Sequence, residues 1–340
     1  MIHITDITCR KKWDKFVTSI TPFTFFQSWD WGEYHRKIGN SIYRFGISNS
    51  DDLIGLALVI KIKSRKGSFL HLRHGPLLYD WTDYKVIDVL LEHLKKIGNE
   101  NGIDFIRISP LIEYSEGNSN FFAERNFKES PLYLFDVAYS WNLDLDQSEE
   151  KIFSKMPKNT RNIIRRSIRE GISIRSSNKI EDLIEFNGLR NETNKNKGFA
   201  SSSNDLIETE FNIMSRDNNC LLWFSEFKSQ PIAGAMLLYY GNQAFYHWGG
   251  SSKLNNNIPS SYLLHWEAIK DAKKRGCNTY NFWGVSPPDN NSHPWYGLSL
   301  FKKKFGGYLK HYLHAQDLPL TYNYYINYVI ENVRKWQYKL

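Results

Sequence analysis

The chain has 340 residues, of which 41% are hydrophobic, 24% charged and 15% aromatic, and its formal net charge is +8. This composition excludes a disordered, collagen-like or coiled-coil protein and indicates a folded chain long enough for two domains. The longest apolar run, 53–60, is far shorter than the roughly 20 residues of a membrane span, and the N-terminus lacks a basic segment followed by an apolar run. We therefore expect a cytoplasmic protein.

The first half of the chain predicts a hairpin, a helix and a strand. Residues 52–61 and 67–73 have strand composition and are closed by turn residues. Apolar residues in 84–98 follow helical spacing, and Gly102 then precedes a third strand, 103–109.

The second half repeats this order of elements. Strands 229–240 and 243–248 flank a turn at Gly241, a helix follows over 262–275, and a strand over 278–283. The repeat predicts an α/β fold of the α+β kind, with two domains of similar topology, each a mixed, mostly antiparallel sheet flanked by helices. Chance similarity within an ordinary α/β chain is the alternative.

The domain boundary is expected where a strand-like stretch, 132–137, gives way to an acidic, helix-initiating segment. We therefore assign 1–145 to domain 1, 146–316 to domain 2, and 317–340 to a C-terminal helix that packs back on either domain. The helical stripe of that last segment consists of Tyr325, Ile326, Val329, Val333 and Trp336. We favour core packing for this stripe over contact with a membrane.

The chemistry of several enzyme classes is not indicated. No phosphate-binding loop, dinucleotide fingerprint, His-Glu-x-x-His motif or Gly-x-Ser-x-Gly elbow occurs, and the ten histidines lack metal-ligand spacing. The three cysteines, Cys9, Cys220 and Cys277, lie too far apart for a disulfide framework or a four-thiolate zinc site. We therefore expect no metal.

Basic residues are concentrated in three places. Segment 25–39 joins aromatic residues to a basic tail, and 297–307 contains three consecutive lysines that fan around a helix. Segment 154–171 carries three arginines on one predicted helix face, at four-residue spacing, with Arg166 beside them. An anionic partner such as RNA, a phosphorylated metabolite or anionic lipid would fit these segments, and so would a solvated basic surface. A fourth segment, 244–252, ends a strand in two glycines, which indicate close approach of a ligand or a simple bulge.

These segments, in this order, resemble the FemABX family, non-ribosomal peptidyltransferases that add amino acids from aminoacyl-tRNA to the stem peptide of peptidoglycan precursors. The resemblance spans nearly the whole chain. It rests on Gln27-Ser28 with Trp31 and Gly39, on Lys158 to Gly171, on Tyr280 to Gly284, and on Gly297-Leu298 with Phe301-Lys302 and Phe305-Gly306.

The resemblance implies two tandem GNAT-like (acyl-CoA N-acyltransferase-like) domains and a cytoplasmic monomer. Aminoacyl-tRNA would be a co-substrate, no other cofactor would be needed, and the acceptor would be a lipid-linked or nucleotide-linked peptidoglycan precursor. Peripheral contact with the inner membrane surface stays open. Region 191–219 is too short for the coiled-coil arm of some members.

Residue roles follow from the same resemblance. Lys302, with the backbone of Phe301, would stabilise the oxyanion of the aminolysis step. The residues expected to bind substrate are Gln27, Trp31, His35, Arg36, Lys37, Arg107, Tyr246, Trp248 and Gly249. The residues expected to bind tRNA are Lys158, Arg161, Arg165, Arg166, Arg169, Lys303 and Lys304.

The sequence departs from the family pattern at the acceptor site. His35 and Ser202 stand where one branch has a lysine and an arginine that clamp pyrophosphate, and an imidazole is largely neutral at pH 7. Ser109 replaces an acidic residue, so no general base is assigned. Two alternatives stay open: an acyl-CoA-dependent N-acyltransferase, although its pyrophosphate-binding turn is missing, and a non-catalytic RNA-binding protein.

Overall fold

The computed structural model describes residues 1–64, 67–131, 138–197, 202–252 and 259–338. The strands, in chain order, are β1 (Ile2–Asp6), β2 (Ser41–Asn49), β3 (Asp52–Ser64), β4 (Gly67–Arg73), β5 (Leu77–Leu78), β6 (Phe105–Ser109), β7 (Lys128–Glu129), β8 (Tyr139–Asp144), β9 (Ser173–Ser177), β10 (Cys220–Phe227), β11 (Gln230–Tyr240), β12 (Gln243–Ser251), β13 (Thr279–Gly284), β14 (Tyr308–His311) and β15 (Gln316–Pro319). The helices are α1 (Arg10–Ser19), α2 (Trp29–Lys37), α3 (Tyr84–Glu100), α4 (Glu116–Ala123), α5 (Glu149–Lys155), α6 (Lys158–Arg169), α7 (Leu183–Lys197), α8 (Asn204–Met214), α9 (Ser261–Lys274), α10 (Tyr296–Lys303) and α11 (Asn323–Tyr338).

The chain divides into two compact units whose bounds differ from the predicted domains. The first unit contains Met1–Tyr139, Pro287–Pro294 and Lys310–Leu340, and the second contains Ser140–Ser286 and Trp295–Leu309. The boundary falls at residue 139 instead of 145 because β8 pairs with β13 of the second sheet. Residues 310–316 and the C-terminal segment belong to the first unit. The predicted strand 132–137 lies outside the described residues.

Each unit contains a mixed sheet, and the two sheets have matching strand order. The first sheet runs β1-β2-β3-β4-β6-β15-β7, and the second runs β9-β10-β11-β12-β13-β8-β14. In both sheets, four consecutive strands pair antiparallel, and the fourth then pairs in parallel with the strand that follows a helix. The predicted repeat and the mostly antiparallel sheets are confirmed, and the matching strand order includes seven strands per unit, four more than the three that the sequence indicated.

The sixth strand of each sheet comes from a distant part of the chain. In the first sheet, β15 lies between β6 and β7, although it follows the whole second unit in sequence. In the second sheet, β8 occupies the equivalent place beside β13, although it precedes the rest of that sheet. The first sheet therefore takes one strand from beyond the whole second unit, whereas the strands of the second sheet, β8 to β14, follow one another in the chain.

The helices that link the parallel strands form where the sequence predicts them. Helix α3 starts after Asp83, whose carboxylate accepts a hydrogen bond from the backbone N–H of Lys85, and its apolar stripe is buried in the first core. Helix α9 buries its stripe in the second core in the same way. In place of a long coiled-coil arm, the second unit has the two short helices α7 and α8.

Helix α11 has its apolar stripe on the opposite side from the one expected. Tyr324, Asn327 and Glu331 face the first unit, whereas the predicted core stripe of Tyr325, Ile326, Val329, Val333 and Trp336 is exposed. The expectation of apolar core packing was therefore wrong for this helix. In the described part of the chain, no helix is long and apolar enough to cross a membrane.

A buried ion-pair network holds the C-terminal segment in place. Arg107 on β6 donates two 2.7 Å hydrogen bonds to Asp317 on β15, and a third, of 2.8 Å, to Glu331 on α11. These two carboxylates raise the pKa of Arg107 above its ordinary value despite its burial. The guanidinium is thus committed to structure, which corrects its expected role in substrate binding.

Replacing Arg107 with Met should lower the free energy of unfolding by about 3–5 kcal/mol, because it leaves two buried carboxylates without a counter-charge. Chemical denaturation followed by circular dichroism measures the change. Lys95→Met is the matched control, since Lys95 pairs with Glu92 on an exposed helix face and its loss should change stability by less than about 1 kcal/mol. Similar small changes in both variants would contradict a structural role for Arg107.

Candidate active site

The parallel strand pair of the second unit separates towards its carboxyl end. Strands β12 and β13 pair only from Gln243 with Thr279 to Phe245 with Asn281, although both strands continue further. In the first unit, β4 and β6 pair over the whole length of β6. Because ligands in α/β folds bind at the carboxyl ends of parallel strands, this separation marks the second unit as the place for chemistry.

The end of β13 is irregular and is held by side chains. Trp283 has φ of 67°, which is unusual for a bulky residue, and its backbone N–H donates a 2.7 Å hydrogen bond to Oδ1 of Asn281. The hydroxyl of Ser140 donates to the same oxygen. The pairing of β13 with β8 is interrupted at this point. These contacts fix the carbonyl of Gly284, which follows directly.

Lys302 on α10 is the charged group at this carbonyl. Its side chain is only 4% exposed, and Nζ donates a 2.6 Å hydrogen bond to the Gly284 carbonyl oxygen. Ser299, one turn earlier, accepts a hydrogen bond from the backbone N–H of Ser286. Two side chains of α10 thereby attach the helix to the segment after β13, and Lys303 and Lys304 are left exposed.

Aromatic groups surround the buried side chain of Lys302. Burial alone lowers the pKa of Lys302 from 10.5 to about 7, with no carboxylate among the described residues acting on it. The Tyr246 ring centroid lies 5.8 Å from Nζ, and burial raises the pKa of Tyr246 to about 12. The pKa of His265 falls to about 3 because of burial and the nearby Lys302 charge.

His265 and Tyr280 form a buried polar pair beside this lysine. Nδ1 of His265 lies 2.8 Å from the Tyr280 hydroxyl, and the His265 ring packs against Tyr246, Phe301 and Phe305. No role was predicted for His265, and Tyr280 was named only as the first residue of the motif that ends at Gly284. The helical position of His265 on the otherwise apolar face of α9 was the signal that could have identified it.

The strand next to the site contains a bulge at His247. Met236 pairs with Trp248 and Leu237 with Tyr246, so His247 is the extra residue. The two carboxylate oxygens of buried Glu210 lie 2.6 Å from Nε2 of His247 and 3.2 Å from Nε1 of Trp248. Trp248 is therefore fixed by the protein.

The glycines after Trp248 accommodate groups of the chain itself. A Cβ at Gly249 would clash with the Tyr246 hydroxyl, and one at Gly250 would clash with the Arg190 backbone. The close approach predicted from the two glycines is thus present, and it is made by the protein. Of the expected substrate-binding residues, Tyr246 is the one beside Lys302.

The aromatic segment of the first unit forms a buried turn and helix α2. Gln27 is fully buried and both ends of its amide are used: Nε2 donates to the Arg73 carbonyl, and Oε1 accepts from the Leu58 backbone N–H. Gln27 therefore ties the turn to β3 and β4, which corrects its expected role in substrate binding. Trp31 is buried, and its ring packs on Phe25, Phe26 and His35.

The cation beside the rings of Phe26 and Trp31 is Arg73, whereas His35 is neutral. Burial, with smaller contributions from His71 and Arg73, lowers the pKa of His35 to about 3, so its ring is neutral. Cζ of Arg73 lies 3.6 Å from the centroid of Phe26 and 5.9 Å from that of Trp31. No role was predicted for His71 and Arg73, which lie two residues apart on the same face of β4. Arg36 and Lys37 are exposed, and Arg36 pairs with Glu33.

The predicted basic helix is α6, and most of its cations face solvent. Lys158, Arg165, Arg166 and Arg169 are exposed, whereas Arg161 is half-buried. Glu170 pairs with Arg166 at 2.6 Å. Thr160, Ile164 and Ser167 form the buried face. The helix therefore presents a cationic surface on the second unit.

Ser202 stands where one branch of the family has an arginine, and in this structure it is contacted by a different arginine, Arg190. Arg190 on α7 is buried and donates hydrogen bonds to the Ser202 carbonyl and to Oδ1 of Asn204. Its guanidinium organises the protein and is not exposed to a ligand. Among the described residues, no group of three or more His, Cys, Asp and Glu side chains could hold a metal ion.

Comparisons with known proteins agree with this architecture. The model of the FemAB family matches residues 8–132, 134–215 and 223–330. A relative from Staphylococcus haemolyticus, named lipid II:glycine glycyltransferase, is 22% identical, and the match covers 91% of each chain.

Solved structures share the fold. The crystal structure of FemX superimposes with a TM-score of 0.82 at 18% identity, covering 97% of this chain and 100% of that one. A tandem GNAT protein from the clavulanic acid biosynthesis pathway gives a TM-score of 0.57 at 9% identity, covering 94% and 99%. The two units therefore have the predicted GNAT-like fold.

Replacing Lys302 with Met should raise Tm by about 2–4 °C at neutral pH. Because the pKa of Lys302 is about 7 in the folded protein and 10.5 ordinarily, the unfolded chain binds more protons between these values, and stability rises with pH. Below pH 7 the folded protein holds a buried charge, and removing it outweighs the lost hydrogen bond to Gly284.

Calorimetry at neutral pH and near pH 10 tests this expectation, since the difference between variant and wild type should shrink at high pH. Lys303→Met is the control, because Lys303 is exposed on the same helix and its loss should leave Tm unchanged. A lower Tm for Lys302→Met at neutral pH would argue against an unpaired buried charge.

Proposed function

The chain belongs to the FemAB family, and we propose that it transfers an amino acid from aminoacyl-tRNA to the stem-peptide amine of lipid II. The name of its relatives, lipid II:glycine glycyltransferase, supports a transferase of peptidoglycan biosynthesis. The observation that carries the proposal is Lys302, a buried cation that no carboxylate of the described segments pairs with, at the place where the parallel strands separate.

Lys302 suits the charge that develops during aminolysis. The amine attacks the ester carbonyl carbon, a C–N bond forms, and the carbonyl oxygen becomes an oxyanion. A cation held in a site that excludes water stabilises this oxygen by several kcal/mol. Collapse of the intermediate breaks the ester C–O bond, the ribose oxygen takes a proton, and the attacking nitrogen loses one. The products are an amide and free tRNA.

Two features support aminoacyl-tRNA as the donor: the cations of α6 and the lack of a glycine-containing pyrophosphate-binding turn before α9. Four exposed cations on α6, with Lys303 and Lys304 on α10, suit a polyanion such as tRNA. An acyl-CoA enzyme of this superfamily holds pyrophosphate on a glycine-containing turn before the helix that follows the fourth strand. The connection from β12 to α9, 252–260, contains no glycine.

In the first unit, Arg73 is the cation best suited to the phosphate groups of the acceptor. Arg73 is a half-buried cation, and its guanidinium packs on the buried ring of Phe26 and lies near that of Trp31. We assign the acceptor's phosphate groups to Arg73, because the neutral ring of His35 cannot serve as a permanent phosphate clamp. No cofactor beyond the charged tRNA is required in this scheme, because the ester is already activated.

Intact-mass analysis tests the reaction. Incubation of the enzyme with lipid II and a complete aminoacyl-tRNA mixture should add the mass of an amino acid residue to lipid II. Lys302→Met should lower kcat by about 10²–10³-fold, as loss of an oxyanion donor does. Lys303→Met should keep its kcat, since Lys303 is exposed and does not reach the Gly284 carbonyl, and any effect should be on KM for aminoacyl-tRNA. Absence of a mass gain with the wild type, together with thermal stabilisation by CoA, would favour an acyl-CoA enzyme.

Reversing charges on α6 tests the tRNA-binding surface. Arg165→Glu with Arg169→Glu should raise KM for aminoacyl-tRNA about tenfold or more. The dependence of this KM on salt concentration should become shallower, because fewer phosphates are neutralised. Lys85→Glu with Lys96→Glu, two exposed positions on α3 of the first unit, makes the same change in net charge. Equal effects of the two double variants would show that only net charge matters.

A further inference from the structure

We propose that the exposed face of α11 docks the enzyme on the surface of an anionic phospholipid bilayer. The face consists of Tyr322, just before the helix, and Tyr325, Ile326, Val329, Val333 and Trp336. This inference rests on the proposed function for the membrane-borne substrate, and it adds the surface by which the protein would reach it.

The geometry of this face suits a helix lying in the plane of a membrane. At 100° per residue, the six side chains fall within an arc of about 100°, on the side opposite Tyr324 and Glu331. Ile326 and Val329 are each 60% exposed and Trp336 is 81% exposed. Aliphatic residues occupy the middle of the stripe and aromatic residues its two ends, about 20 Å apart. Tyr and Trp favour the interface between lipid and water.

The charges around the stripe complement an anionic surface. The one acidic residue of 320–340, Glu331, is buried against Arg107. Arg334 is exposed on this helix, whereas Lys335 is half-buried. Lys128 on β7 adds a cation 5.9 Å from the Tyr325 ring, and Glu129 lies near Lys335. Basic residues beside an apolar helix face are typical of binding to anionic lipids.

A second copy of this chain is a poorer occupant of the face. A stable protein interface takes about 20–30 residues from each partner, and the stripe supplies six. Two copies meeting through α11 would also bring the same cations together. A bilayer requires only that apolar side chains enter the headgroup region, so six side chains are enough for peripheral binding.

Vesicle flotation without any peptidoglycan precursor tests the proposal. The wild type should float with vesicles of phosphatidylcholine containing about one third phosphatidylglycerol, and less with pure phosphatidylcholine. Ile326→Ser with Val329→Ser and Trp336→Ser should lower the partition coefficient about tenfold or more. Ile184→Ser is the control, since Ile184 is 80% exposed on α7 and its loss should leave binding unchanged.

The single variant Trp336→Ala, compared by Tm with the wild type, separates lost binding from lost folding. A wild type that does not float, or a triple variant that floats equally, would overturn the proposal. A dimer that the triple variant dissociates, measured by sedimentation without vesicles, would instead assign the face to a second copy.

Turnover measurements keep this proposal separate from the proposed function. With lipid II in the same vesicles, the triple variant should lose activity at least about tenfold, whereas with a soluble nucleotide-linked stem peptide the variant and the wild type should match. Failure of transfer on both acceptors would refute the function and leave the flotation result standing. Full activity of the triple variant on vesicles would refute the docking surface alone.

Discussion

The guanidinium of Arg107 determines where the last part of the chain lies. Asp317 and Glu331 could not be buried without a cation between them, and both come from the segment that follows the second unit. Through Asp317, the network holds β15 beside β6, which completes the first sheet. Through Glu331, it rotates α11 so that the polar side faces the protein and the apolar side faces outwards. One buried charge thus sets both the sheet and the exposed surface.

Lys302 has fewer hydrogen-bond acceptors than the two buried arginines. Arg107 has two carboxylates and Arg190 has carbonyl and amide oxygens, whereas Lys302 has one carbonyl oxygen. Burying a lysine with so little compensation lowers stability, and sites of this kind persist where activity needs them. A carboxylate partner would have removed the instability and also the charge available to an oxyanion. The aromatic residues around Lys302 supply packing without neutralising it.

Much of the fold could be predicted from local patterns, and much of the site could not. Strand composition between turn residues identified β3, β4, β11, β12 and β13, and helical stripes identified α3 and α9, because both are local signals. The same reasoning could not decide which of three adjacent lysines points inwards, since that depends on how Ser299 and Lys302 meet the end of β13. It also failed for α11, because periodicity shows that a helix has an apolar side but not that this side is buried. The roles of Gln27 and Arg107 depended on partners distant in sequence, which local patterns do not record.

The late position of β15 in the chain has a consequence for how the protein is made. During synthesis, β8 leaves the ribosome before the strands it will join, so the second sheet can close once β14 has emerged. The first sheet, although its first strands are made earliest, lacks its sixth strand until β15 appears near the end of the chain. The N-terminal unit is therefore the last to be completed, and a ribosome that stalls before β15 leaves an open β6 edge in its product.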